Sequence, residues 1–382
     1  MKWIILLTLF LTINVESVYA DDVESEISTL IQKYDAVGVS VAVVKGDEIV
    51  YVNSFGYKDE EERIPLSNSD LFRIASVSKT FVATAIMQLV EKGKLTLDDD
   101  VNRYLKFKVQ NPKFPDVPIT VRMLLSHRSS INDSQKWDKL DRIIPKLNSD
   151  YEKCYGDFKP GSKYMYCNMN YNILGAVIEN VCHKRFDKYI KKKIMSPLGL
   201  NGSFNRFDVD SLRFVKSYWY NRKRDKFHSI NNVYQPLIRK RKNYILGYHT
   251  TDYAPPAGMI INAMELAKYM QMHINGGVYK KKRLVSNVSE TEMRVVPNPK
   301  NHYALSITHY NNSIIQGEEL LGQTGGHLGF HTAMIFHPEK KYGFVVFCNG
   351  CKSKSSDMDG YELNFDIIRC LYNNIILSSN ER

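Results

Sequence analysis

Strand-like segments near both ends of this chain enclose a long helix-rich middle, and that separation limits the folds open to it. Gly38 to Val44 is small and β-branched, Lys45, Gly46 and Asp47 have turn chemistry, and Glu48 to Tyr57 returns as a second strand. That is a β-hairpin. Far downstream, Tyr303–Tyr310, Ser313–Gln323, His331–Phe336 and Tyr342–Cys348 read as sequential strands with short turns, one of them at His337, Pro338 and Glu339. Helical spacing predicts an amphipathic helix over 24–36, through Ile27, Leu30, Ile31 and Tyr34. A second helix runs from Val77 to Lys92, capped by Gly93, and a last one from Tyr361 to Leu377. The longest clear helix of the middle is Tyr171 to Cys182. The economical arrangement is an α/β (α+β) fold in which one antiparallel sheet, built from both termini, carries helices on its faces and an inserted helical domain. The expected division places the sheet domain in 21–95 together with 245–382, and the mostly helical domain in 96–244. Together these form one unit.

The first twenty residues stand apart. Lys2 precedes an apolar run from Trp3 to Ile13, and Val18, Tyr19 and Ala20 supply small residues where a signal peptidase reads. The run is short for a bilayer span, which takes ~20 residues. A secreted or extracellular protein (periplasmic in a bacterium) is expected, cleaved after Ala20. Removing 1–20 takes away Lys2 and Glu16, so the net charge of +11 is unchanged. That excess predicts weak attraction to anionic surfaces. The runs Lys191–Lys193, Arg222–Arg224 and Arg239–Lys242 read as solvated faces; they match no nucleic-acid module, so no nucleic-acid partner is expected. The pattern specifies no oligomeric state. At 43% hydrophobic and 24% charged, the 382 residues exclude wholesale disorder.

Cys154, Cys167, Cys182, Cys348, Cys351 and Cys370 could pair in an oxidising compartment, with connectivity open. The lone C-x-x-C at Cys348 and Cys351 lacks two further zinc ligands, so a disulfide or core thiols are the better readings. Sequons begin at Asn132, Asn201, Asn287 and Asn311.

Three motifs could carry chemistry. Ser76 and Lys79 form S-x-x-K at the start of a helix, where positions three apart share a face. Serine needs an adjacent base to become a nucleophile, and lysine serves once burial leaves it neutral. Alone, this motif is weak: a helix cap followed by a solvated lysine has the same spelling. Tyr166, Cys167 and Asn168 precede the Tyr171 helix. Gln323, Thr324, Gly325 and Gly326 end a strand. There is no G-x-S-x-G elbow, H-E-x-x-H helix, Walker loop or dinucleotide fingerprint.

In these motifs, their order and their spacing the chain resembles the serine β-lactamase and penicillin-binding-protein superfamily. The branch it looks most like holds class C β-lactamases, D-alanyl-D-alanine carboxypeptidases and related esterases. Leu71–Ala75, Leu97–Val101, Leu124–His127 and Pro256–Met259 are also similar to family segments. The resemblance covers nearly all of the chain beyond residue 20. It implies a β-lactamase/transpeptidase-like fold and a serine hydrolase that works through an acyl-enzyme, without cofactor or metal. Its substrate would be a small molecule or peptide, with an ester or amide to cleave. Ser76 would be the nucleophile, Lys79 would take or relay its proton, and Tyr166 would exchange protons with serine and leaving group. Asn168 would bond Lys79 and the substrate amide. The backbone N–H groups of Ser76 and Gly326 would form the oxyanion hole, and Thr324 would contact the substrate. Gln323 departs from the family's usual Lys or His and cannot supply a positive charge for a carboxylate. Cys167 replaces the common Ser or Ala. The alternative expectation is a catalytically inactive binding or assembly protein that kept the fold.

Overall fold

The computed structural model describes residues 15–230, 233–234, 243–298, 301–352 and 361–378. The basic run at 239–242, and most of the apolar leader, lie outside them.

The strands are β1 (Gly38–Lys45), β2 (Glu48–Asp59), β3 (Ile64–Pro65), β4 (Phe72–Arg73), β5 (Ser217–Asn221), β6 (Lys226–Ile230), β7 (Ile260–Ile261), β8 (Val278–Tyr279), β9 (Lys282–Arg283), β10 (Thr308–Asn311), β11 (Glu319–His327), β12 (Phe330–His337) and β13 (Tyr342–Cys348). The helices are α1 (Val15–Lys33), α2 (Ser78–Glu91), α3 (Val121–Leu125), α4 (Met169–Cys182), α5 (Phe186–Ile190), α6 (Ala263–Ile274), α7 (Asn287–Arg294) and α8 (Glu362–Leu371). None of the described helices is long and apolar enough to cross a membrane.

One seven-stranded antiparallel sheet has the order β10-β11-β12-β13-β1-β2-β3. The two ends of the chain meet where β1 pairs with β13, Val41 opposite Val346. β1 lacks polar alternation because it is covered on both faces; every residue from Gly38 to Val44 is buried. Val39, Val41 and Val43 pack with Ile27 of α1 and with Ile367 and Leu371 of α8. Ala42 and Val44 belong to the larger core on the other face, with Leu266 and Met270 of α6 and Phe81 of α2. Each such large apolar side chain contributes ~1.5–3 kcal/mol on burial.

Local backbone chemistry trims several expected elements. The first helix spans Val15–Lys33, not 24–36, and Asp35 at φ 44° turns the chain out of it. The strand expected from Tyr303 starts only at Thr308, because Ser306 at φ 69° folds the chain back into a Tyr303–Thr308 bridge. Asn312 (φ 57°) and Gly317 (φ 81°) make 312–318 a turn, so β11 begins at Glu319 and not at Ser313. α2 stops at Glu91, with Gly93 (φ 60°) as its left-handed cap. α8 continues as a wider turn through Tyr372–Leu377. The stretch between α2 and α6 holds α3, α4 and α5 among short 3-10 turns. It also holds the hairpin β5–β6, which docks on the sheet through Tyr218 N–H to Asn349 O at 2.7 Å and Lys216 N–H to Lys58 O at 2.9 Å. All six cysteines are free thiols in the structure.

Candidate active site

Ser76 sits in a 3-10 turn, Ala75–Val77, that runs directly into α2. Ala75 before it has φ 45°, a left-handed conformation that a non-glycine residue adopts only when its surroundings enforce it. Those surroundings are visible. β4 pairs with β7 through Phe72 and Ile261, and Arg73 Nε donates to Ala257 O at 2.8 Å. From the other side, Thr332 Oγ1 donates to Ile74 O at 2.9 Å.

One helical turn on, Lys79 is completely buried. Its Nζ donates to Ser76 Oγ at 3.0 Å, to Asn168 Oδ1 at 2.9 Å and to the Pro256 carbonyl at 3.0 Å. Burial disfavours the ammonium and moves its pKa from 10.5 down to about 7; Asp133 opposes the shift. Near neutrality Lys79 is therefore divided between ammonium and amine, and the amine form can accept a proton.

Tyr166 completes the cluster, its Oη 2.7 Å from Ser76 Oγ. The residue keeps 38% of its surface open, yet desolvation around the phenol pushes its pKa well above 10, against the Ser76 hydrogen bond. Lys79 Nζ lies 4.9 Å from the Tyr166 ring centre, where a cation is attracted by the ring face. His127 holds this tyrosine from behind, ring centres 4.3 Å apart. His127 Nδ1 accepts from Cys167 N–H at 3.1 Å and its carbonyl accepts from Met165 N–H at 2.8 Å. Burial, then the Lys79 charge, lowers the His127 pKa well below 6.5, so the imidazole is neutral.

Asp133 anchors the start of α4. Its Oδ2 accepts from Asn168 N–H at 2.7 Å and Asn168 Nδ2 at 3.0 Å, and its Oδ1 from Met169 N–H at 3.1 Å. A carboxylate at a helix N-terminus is favoured by the unpaired N–H groups there. Here it also orients Asn168 so that Oδ1 faces Lys79. Cys167 Sγ donates to the same carboxylate at 3.1 Å and is a buried packing thiol.

The third motif lies on β11. β10 pairs with β11 only from Glu319 to Gly322, which leaves Gln323–His327 without a strand on that side. Gly325 passes against the nucleophile turn: a Cβ there would stand 2.4 Å from Ile74 O and 2.8 Å from Ser76 N. Glycine is what lets the strand come this close. Gly326 follows, exposed. Gln323 is 4% exposed, and its Oε1 accepts from Thr308 Oγ1 at 3.2 Å. Its side chain is bonded to β10, not to the Ser76 network. Thr324 points to the opposite face, 3.4 Å from Tyr310 Oη.

The structure thus joins Ser76, Lys79, Tyr166 and Asn168 in one hydrogen-bonded network and sets Gly325 against it. Asp133, the Pro256 carbonyl and the aromatic backing of Tyr166 by His127 are added by the fold. Asp133 has no chemical signal in the sequence beyond its place in a sequon; Pro256 lies in a segment already picked out by resemblance.

A helix-borne Ser–Lys pair, a Tyr and Asn ahead of a second helix and a glycine strand edge, on an antiparallel sheet with helices on both faces, define the serine β-lactamase and penicillin-binding-protein class. The β-lactamase family model matches residues 23–367, and the chain belongs to that family. It is similar to protein flp of Staphylococcus aureus (strain MRSA252), 26% identical over 340 residues, covering 86% of this chain and 63% of that protein. It is also similar to penicillin-binding protein 4* of Bacillus subtilis (strain 168), 35% identical over 181 residues, 45% of this chain and 39% of that protein. The chain spans less than two thirds of the length of these relatives. Among solved structures, the octameric penicillin-binding protein homologue from Pyrococcus abyssi superposes with a TM-score of 0.72 and 26% identity, covering 94% of this chain and 77% of that one. D-amino acid amidase from Ochrobactrum anthropi SV3 shares the fold at a TM-score of 0.68 and 19% identity, covering 93% of this chain and 99% of that one.

Proposed function

We propose that this chain is a serine hydrolase that cleaves a small ester, amide or peptide through an acyl-enzyme on Ser76. The observation that carries the reading is the mutual hydrogen bonding of Ser76, Lys79 and Tyr166, at 2.7 and 3.0 Å. In this mechanism the Lys79–Tyr166 pair takes the Ser76 proton as Oγ attacks the carbonyl. The two protons belong to the coupled pair and not to either residue. The oxyanion is held by the N–H groups of Ser76 and Gly326, a contribution whose loss typically costs ~3–4 kcal/mol. Tyr166 returns the proton to the leaving group, and water attacks the acyl-enzyme by the reverse path, releasing acid and free Ser76. No step requires a metal or cofactor. An assembled network with a pKa-shifted lysine favours this reading over an inactive binding protein. The similarity to a D-amino acid amidase and to penicillin-binding proteins supports an amide or peptide among the substrates.

Treatment with a fluorophosphonate followed by intact-mass measurement tests the proposal. A single adduct that disappears in Ser76→Ala is expected; no adduct on the wild type, or one that persists in the variant, overturns it.

We also propose export with cleavage after Ala20. Trimming there keeps Val23 and Ile27, the α1 residues buried against the sheet. N-terminal sequencing of the exported protein should read Asp21 first; an intact leader would argue against export by this route.

A further inference from the structure

Side chains two apart on a strand share a face, so Thr324 and Gly326 look out from the same side of β11. Tyr361, just ahead of α8, covers that side. Its Oη lies 2.8 Å from where a Cβ on Gly326 would stand, and Thr324 is near enough to influence the ionisation of the phenol. Tyr310 Oη reaches Thr324 Oγ1 at 3.4 Å. Three hydroxyls therefore gather beside Gly326, whose N–H group faces the developing oxyanion in the mechanism above. Burial pushes the Tyr361 phenol up to about 12, so it keeps its proton at neutral pH. Gln323, the remaining polar group of the motif, is already bonded to Thr308. This wall of the site is built of hydroxyls and an amide, with no cation among these residues.

We propose that Tyr361 and Thr324 form a neutral subsite that receives an uncharged carboxamide or ester group of the substrate and discriminates against a free carboxylate. The inference rests on the hydrolase reading and assigns its substrate class. A hydroxyl both donates and accepts, so two of them satisfy the N–H and C=O of an amide. A carboxylate has only acceptors. Set beside Tyr361 it would lose water without gaining an opposite charge, which is costly for an ion. Tyr361 is thereby a specificity residue, distinct from the proton-transfer groups at Ser76.

The test uses two aryl esters identical except that one carries a free carboxylate and the other a primary carboxamide. The rate of Ser76 acylation by each is followed by intact mass in the full chain, with fluorophosphonate labelling run alongside. The wild type should acylate faster with the carboxamide, by about 10-fold or more. Tyr361→Phe should shrink that ratio, and Gln323→Lys should shift it toward the carboxylate. Equal rates, preference for the carboxylate, acylation by neither ester, or an unchanged ratio in Tyr361→Phe overturns the subsite. In each of those cases fluorophosphonate labelling of Ser76 preserves the hydrolase reading. Absence of that labelling removes the hydrolase reading and the subsite with it. A thermal melt confirms that each variant is folded.

Discussion

Ser76 Oγ stands 2.7 Å from Tyr166 Oη and 3.0 Å from Lys79 Nζ, so one serine oxygen is shared between a phenol and an amine. The phenol comes from a loop ninety positions along the chain, held by His127. Tyr166→Phe removes only the hydroxyl and leaves the ring on His127. Its kcat/KM should fall by about 10²- to 10⁴-fold, the range for a lost general acid–base group, with little change in Tm. Hydrolysis assays beside a thermal melt check both halves; a variant retaining full activity would exclude Tyr166 from proton transfer.

Lys79 sets the pH dependence. Its pKa is about 7 in the folded chain and near 10.5 when unfolded. Between those values the unfolded state binds the extra proton, so this group makes stability rise as pH rises through that window. Acylation should rise over the same lower limit, near pH 7, as the amine loses its proton. Lys79→Met should abolish the titration in a kcat/KM profile and flatten the rise in Tm above pH 7. A wild-type profile without a limb near neutrality would contradict this assignment.

Asp133 acts through Asn168 and Lys79. In Asp133→Ala, the Asn168 and Met169 N–H groups lose their acceptor at the start of α4, at ~1–3 kcal/mol for a buried unmet donor. Denaturant unfolding measures that loss. Asp133→Asn keeps the shape and removes the charge that opposes the Lys79 shift. Its acidic limb should therefore move to lower pH, a change that a purely structural role would not produce.

Gly325→Ala places a methyl group 2.4 Å from Ile74 O and 2.8 Å from Ser76 N. β11 must retreat from the nucleophile turn, and the oxyanion donors separate. The expected loss in kcat is about 10²- to 10³-fold, comparable to removing one oxyanion donor. Fluorophosphonate labelling should slow in parallel. Normal turnover in this variant would show that the strand's approach is not needed.

Much of this was legible in the chain itself. The small and β-branched run at Gly38–Val44 is the strand expected there, and the β1–β2 hairpin forms at the expected turn. The α4 helix extends the expected one by two residues, starting at Met169. Three of the misplaced edges fall where single residues turn left-handed, at Asp35, Ser306 and Asn312. Gly317 turns the chain inside the segment expected as a strand from Ser313, and Asn312 turns it just ahead of that segment, with the apolar pair Ile314 and Ile315 between them. Those isoleucines do pack in the core, but from a turn.

Residue type and order along the chain determined which groups could do chemistry: a serine, a lysine three positions on, a tyrosine, an asparagine and a glycine strand. They also determined that no cation stands at Gln323. Tertiary structure alone decided what those groups are able to do. Lys79 becomes titratable near neutrality because the fold buries it against Asn168 and Pro256, and Asp133 and Tyr361 acquire roles only where distant segments meet. Desolvation and hydrogen-bond geometry depend on neighbours in space, and for this site those neighbours lie as much as 285 positions from Ser76 in sequence, at Tyr361.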